Sequence, residues 1–412
     1  METRLSTAIV MSRRPRLVVP NAPWLLGLRA CLRRIRDRGE RLLIGDATAG
    51  CEFVRRGAQL LNLDHTQLRR GEHSVADQLE PSHSINVSVE IPERDRLLAI
   101  AAGELLVLEV RSNGHWHRLL SDRLKAGRGG VTLVDVPALE GEVVRRELLS
   151  LGAVRWAPGH SETESLWDER NDVIASHHKH ASPNADLSPA IVELVPFPSA
   201  DGWVSLSHTT RGCPGPWPEQ SHEDYFDSLL CSHRDADHSA LGTLERILRQ
   251  RRLIASTRTA RGGVRVVSFT ASPLSQLPEL RRFRRHRGRW DFEPYGLCIH
   301  QSWLKERGVR PVVYGNEANW RDLNEHDQSY FQLAHSLAVG ANETDAEHES
   351  AAGIDWTVER DWRHIGHLDL RELPRESGLV FVRNYAAAKR VSIVSPWPVT
   401  LWPDPMVEVI GY

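Results

Sequence analysis

The stretch best suited to hold a phosphate is Gly45-Asp46-Ala47-Thr48-Ala49-Gly50. It follows the apolar run Leu42–Ile44 and opens a stretch of helical length, so its small residues let the chain turn where a helix start offers unpaired N–H groups and partial positive charge. Gly45 and Gly50 allow the turn, and Asp46 or Thr48 either touches the ligand or caps the helix of an ordinary strand-to-helix connection. Neither G-x-G-x-x-G nor a P-loop lysine is present. Arg94-Asp95-Arg96, at the start of a later helix, and Arg111–His115, after a later strand, place basic residues at the same edge, to meet a phosphate or to form a solvated rim. Arg281, Arg282, Arg284, Arg285, Arg287 and Arg289, with Phe283 and Trp290 interleaved, form the one strongly basic run. It can follow a nucleic-acid backbone while the rings stack on bases, or be a solvated face paired with acidic residues 343–349. His177, His178 and His180 lack cysteine or carboxylate co-ligands, and no metal site is read there.

Elements must hold these residues in place. Short β-branched runs at Leu17–Val19, Leu42–Gly45, Ile85–Val89, Leu105–Val110 and Val131–Val136 alternate with amphipathic stretches at Pro23–Arg38, Ala47–Leu61, Arg94–Ala102, His115–Lys125 and Gly141–Leu151. This alternation predicts an α/β fold, a parallel sheet with helices on both faces, whose ligands sit at the carboxyl ends of strands. In that arrangement the half resembles Rossmann-like SLOG and LOG-type domains, a resemblance that implies nucleotide sensing.

The 412 residues exceed what one core organises, and two domains are expected. The reading is a disordered terminus over 1–15, the Rossmann-like domain over 16–156, a polar linker over 157–198 and an α+β domain over 199–412. The balance of 52 Lys+Arg against 54 Asp+Glu gives no global electrostatic argument for a nucleic-acid or acidic-surface partner, which must be read from local patches. Five cysteines without a C-x-x-C pair indicate neither a disulfide framework nor a zinc ribbon. With no long apolar span and no secretory signal, a cytoplasmic, reducing location without membrane insertion is expected.

After Gly202 strands no longer alternate regularly with helices, which predicts α+β. The order is a strand ending His208-Thr-Thr-Arg211, a helix Leu241–Gln250, a strand with Ser268-Phe-Thr270, then Glu293-Pro-Tyr-Gly296, Arg310-Pro-Val-Val-Tyr-Gly315 and Trp356-Thr-Val-Glu-Arg-Asp-Trp362. Over about residues 202–382 this layout resembles the ADP-ribosyltransferase superfamily, and its later part is similar to AbiGi-type abortive-infection families of bacterial phage defence.

The resemblance implies NAD as substrate, without a metal. Breaking the nicotinamide–ribose bond passes through a cation like that of glycoside hydrolysis, which a carboxylate stabilises. Carried over by position, Glu359 is that carboxylate, and His208 contacts the ribose or carboxamide. Ser268 and Thr270 support the nicotinamide pocket, Tyr295 or Tyr314 stacks on its ring, and Arg211 meets the pyrophosphate. A compact Q/E-x-E ending is not identified. The resemblance therefore admits two readings: an NAD-using effector, or a non-catalytic, antitoxin-like or partner-binding protein. As structural alternatives, His208 is a satisfied strand histidine, Ser268 and Thr270 are plain strand residues, Trp356 and Trp362 are core, and Glu359 pairs with Arg360 or Arg363.

Overall fold

A computed structural model describes residues 5–12, 18–46, 48–70, 85–87, 91–136, 142–163, 166, 194–231, 236–257, 263–284, 289–336 and 354–403. The histidines at 177, 178 and 180, Arg285, Arg287 and residues 343–349 lie outside them. The chain divides into two compact units, one formed by Met1–Ala181 with Pro214–His238 and the other by Ser182–Cys213 with Ser239–Tyr412. Pro214–His238 thus groups with unit 1, although it lies within the segment read as the C-terminal domain.

Unit 1 is an α/β unit whose chain order is β1 (Ser6–Met11), α1 (Pro23–Arg38), β2 (Arg41–Gly45), α2 (Cys51–Leu60), β3 (His65–Arg70), β4 (Ile85–Val87), α3 (Ile91–Ala101), β5 (Glu104–Glu109), α4 (His115–Lys125), β6 (Gly130–Val134), α5 (Glu142–Ser150) and β7 (Val154–Trp156). The seven strands lie in the order β4-β3-β2-β1-β5-β6-β7. Every pairing is parallel, which gives a Rossmann-like sheet. The expectation of a frayed terminus is corrected at Ser6–Met11. Thr7, Ala8, Val10 and Met11 are buried, and the strand pairs on both sides at the middle of the sheet. Thr7 meets its one polar need by donating to Glu40 Oε2 at 2.6 Å. The strand expected at Leu17–Val19 is replaced at Val18–Ala22 by a turn around Pro20, in which Ala22 N–H donates to Val19 O.

Helix α1 starts with Pro23 and ends at Gly39 in the left-handed conformation, the proline-first, glycine-last arrangement that suits helix termini. Its face of Trp24, Leu25, Leu28, Leu32 and Ile35 is buried, each side chain contributing about 1.5–3 kcal/mol. The helix His222–Leu230 is capped by Ser221 and buries Tyr225, Phe226, Leu229 and Leu230. Phe226 meets Phe53 edge-on, centroids 4.7 Å apart, and Asp227 receives Arg56 Nε at 2.6 Å.

Unit 2 has β8 (Ser205–Thr209), β9 (Arg252–Leu253), β10 (Val266–Thr270), β11 (Phe283–Arg284), β12 (Arg289–Trp290), β13 (Tyr295–His300), β14 (Arg310–Pro311), β15 (Val313–Gly315), β16 (Phe331–Leu333), β17 (His335–Ser336), β18 (Ile354–Asp355), β19 (Asp361–Ile365), β20 (Leu368–Asp369), β21 (Gly378–Val382) and β22 (Val399–Leu401). Its seven-stranded sheet runs β14-β19-β10-β8-β13-β21-β22. The pairs are antiparallel except β21 with β22, giving a mixed sheet. Alternation along the strands assigns two faces. Leu206, Val267, Phe269, Leu297, Ile299, Val380 and Val382 join one core with Leu244, Ile247 and Leu248 of the helix Ala240–Gln250. Cys298 and Phe381 join a second core on the other face, with Leu274, Leu277, Phe292 and Trp402.

Candidate functional site

In unit 1 the chain crosses from β4 at one edge to β5 on the far side of β1, so the strand order reverses between β1 and β5. A sheet of this kind receives ligands at the carboxyl ends of those strands. Ser12 N–H donates to Glu109 O at 2.8 Å there, and Arg111 N–H donates to Ser12 Oγ at 3.2 Å. The Gly45–Gly50 loop follows the adjacent β2. Gly50 has φ +75° and caps α2, and a Cβ on it would lie 2.3 Å from Met11 Cε at the end of β1. Thr48 Oγ1 donates to Gly45 O at 2.8 Å, closing the turn. The Arg94 guanidinium donates to Asp46 O and pairs with Asp95 at 2.7 Å. Gly45 admits that approach, since a Cβ there would come within 2.5 Å of Leu98 Cδ1 on α3. The structure therefore brings Gly45, Asp46, Thr48, Gly50 and Arg94 together.

In unit 2 the proposed residues divide between the faces. Leu297 is the register partner of His208, whose ring lies 5.7 Å from that of Phe269, on the face of the larger core. Its Nδ1 is 2.8 Å from Ser268 O, an acceptor, so Nδ1 carries the hydrogen. Burial pulls the His208 pKa down to about 4, slightly opposed by that bond, which keeps the ring neutral at pH 7. Tyr295, two positions before Leu297, shares this face and packs against the same core, as does Trp362. Ser268 and Thr270 alternate with Val267 and Phe269 and belong to the opposite face.

There β10 meets β19, with Ser268 opposite Arg363 and Thr270 opposite Asp361. Burial pushes the Asp361 carboxyl up to about 6, and Arg363 and Arg211 are the cations that pull it back. Its backbone N–H donates to Tyr314 Oη at 2.8 Å. Burial raises the Tyr314 phenol as well, and the charges of Asp361 and Glu359 add to the rise. Arg363 is locked in place, Nη1 donating to Phe331 O at 2.9 Å and Nη2 to Gln332 Oε1 at 2.8 Å. Thr243 Oγ1 holds the Arg211 carbonyl at 2.7 Å. Burial raises Glu293, with Arg281, Arg211 and Arg383 opposing. Asp361 and Glu293 thus share Arg211 as a neighbouring cation.

Thr270 Oγ1 donates to Glu359 O at 2.5 Å and accepts from Ser272 N–H at 3.1 Å. Its hydroxyl fastens the turn Thr357–Glu359 that precedes β19, and Arg360, at φ +47°, links the two. Glu359 is half-buried at that turn, two residues before Asp361. The structure gathers Glu359, Thr270, Ser268 and Tyr314 on the side of Asp361 and sets His208 and Tyr295 on the other face, while the charge of Arg211 reaches both Asp361 and His208. The sequence assigns no role to Asp361 or Glu293 and offers Arg363 only as a partner of Glu359. The available signal was the alternation in Asp361-Trp362-Arg363, which sets both charges beside Ser268 and Thr270 once β10 and β19 are paired.

Comparison with known proteins adds little. No family model matches the chain, and no curated protein does. Among solved structures, the molybdenum cofactor carrier protein of Chlamydomonas reinhardtii is 16% identical, with 42% of this chain and 97% of that one covered at a TM-score of 0.29. DNA processing protein A of Streptococcus pneumoniae is 13% identical, covering 39% and 60% at 0.30. The same protein from Helicobacter pylori, described for its single-stranded DNA binding mode, is 13% identical and covers 44% and 83% at 0.27. Among the described residues no helix is long and apolar enough to cross a membrane, and no group of three or more His, Cys, Asp or Glu is arranged to hold a metal.

Proposed function

We propose that unit 2 cleaves the nicotinamide–ribose bond of NAD, by hydrolysis or by ADP-ribosyl transfer, and that unit 1 recognises a nucleotide at the carboxyl edge of β1, β2 and β5. The observation that supports this most is the half-buried Glu359 two residues before Asp361, whose carboxyl burial holds at about 6 and which Arg211 and Arg363 flank. When the C1′–N bond breaks, its electron pair leaves with nicotinamide and the positive charge stays on the ribose. Glu359 faces that charge. C1′ is then attacked by water or by a hydroxyl or amine acceptor, whose proton passes to a carboxylate. Arg211 meets the pyrophosphate. His208 is given no chemical role, because it is neutral and belongs to the opposite face. The surroundings in which this serves a cell are those of the abortive-infection resemblance, a response to a sensed nucleotide during phage attack.

A second reading is favoured by one observation: the Thr270 hydroxyl and the Ser268 carbonyl are committed to internal hydrogen bonds. On that reading unit 2 is a non-catalytic partner-binding module. Incubation with NAD separates the two. The enzyme reading expects nicotinamide to accumulate and Glu359→Gln to slow its release by about 100-fold or more, the usual scale for loss of such a group. Release by wild type that Glu359→Gln leaves unchanged removes Glu359 from the chemistry.

A further inference from the structure

The arginine run has no part in the reaction proposed above. Between Leu280 and Trp290 the chain carries six arginines and no acidic residue, within a protein whose formal net charge is -2. Its described ends pair as the antiparallel strands β11 and β12, with Phe283 opposite Trp290 and Arg284 opposite Arg289. The two rings meet edge-to-face, centroids 5.5 Å apart, and stay 49% and 37% exposed. A hairpin usually buries its aromatic pair against a core, so this pair remains available for an external contact. Arg281 lies over the Trp290 ring at 4.2 Å and pairs with Glu293 at 3.8 Å, which fixes one side of the indole and partly neutralises this cation. Arg282 is exposed beside Phe283.

We infer that the strand pair β11–β12 binds single-stranded nucleic acid, with Arg282 at a phosphate and Phe283 and Trp290 against its bases. Exposed rings flanked by cations match a strand whose bases are free to stack, because every base offers a π-face. A duplex offers this surface only its phosphates, and an acidic peptide offers no planar rings. The inference does not rest on NAD cleavage.

The test is fluorescence anisotropy of the full chain with a labelled oligo-deoxythymidine, with a duplex of equal length and with poly-glutamate as competitors. The single strand should bind best, and its log affinity should fall with log salt by about 0.7 for each phosphate neutralised. Trp290→Ala should weaken binding by about tenfold, one lost base stack, with Trp290→Phe restoring most of it. Arg282→Glu, an exposed change, should weaken binding and flatten the salt dependence while thermal unfolding stays as in wild type. Glu359→Gln should bind as wild type, so loss of turnover and loss of binding separate. Equal affinity for the duplex, full displacement by poly-glutamate, or wild-type binding by both Trp290→Ala and Arg282→Glu would overturn the inference.

Discussion

Two half-buried ionisable groups of unit 2, His208 and Asp361, respond to pH in opposite directions. Folding holds the Asp361 pKa at about 6, above its ordinary 3.8. The folded state therefore binds this proton more tightly, and its contribution to stability is full below the unfolded value and lost as pH rises to about 6. Folding depresses His208 from 6.5 to about 4, so its contribution is full above the unfolded value and lost as pH falls toward 4. Urea unfolding between these limits should show Asp361→Asn gaining stability relative to wild type as pH rises and His208→Gln gaining as pH falls. A variant-to-wild-type difference that does not vary with pH contradicts the assignment for that residue. The resemblance pointed to His208 and Glu359 as one pair. A one-dimensional pattern could not show that β8 sets His208 on the Phe269 face while β10 sets Ser268 on the other, because that depends on pairing with β13 and β19.

At the level of elements, helices were the most legible part. The predicted spans of α1 and α4 match those formed, because proline, glycine and 3.6-residue periodicity act locally. The strands were read less fully. β1 lies at the start of the chain beside a basic stretch, which hides it as a frayed end, and β3, His65-Thr-Gln-Leu-Arg-Arg, has too little apolar content to stand out. The loop after β2 was legible as a turn, but its link to Arg94 spans 48 residues and arises only when α3 packs beside β2. This loop depends on Gly50. Gly50→Ala should lower stability by about the 1–2 kcal/mol of a left-handed alanine, the Met11 side chain shifting aside, measurable as a lower thermal midpoint. An unchanged midpoint would show that the loop tolerates another path.

On the scale of the whole molecule, unit 1 is discontinuous in sequence. Its core includes Tyr225, Phe226, Leu229 and Leu230, contributed from beyond the first strand of unit 2. A fragment of residues 1–181 should therefore expose the Phe53 surface, bind a hydrophobic dye and unfold at lower denaturant than residues 1–238. Equal stability of the two fragments would make the helix His222–Leu230 dispensable. Such an exchange of segments leaves no trace in composition, which is why residues 199–412 read as one block. The central claim concerns unit 2 and is tested most directly by nicotinamide release from NAD by the full chain, with Glu359→Gln beside wild type. The account predicts release by wild type and a loss of about 100-fold in the variant, with the fold intact by circular dichroism. Absence of nicotinamide from the wild-type reaction, or equal release by both proteins, would contradict it.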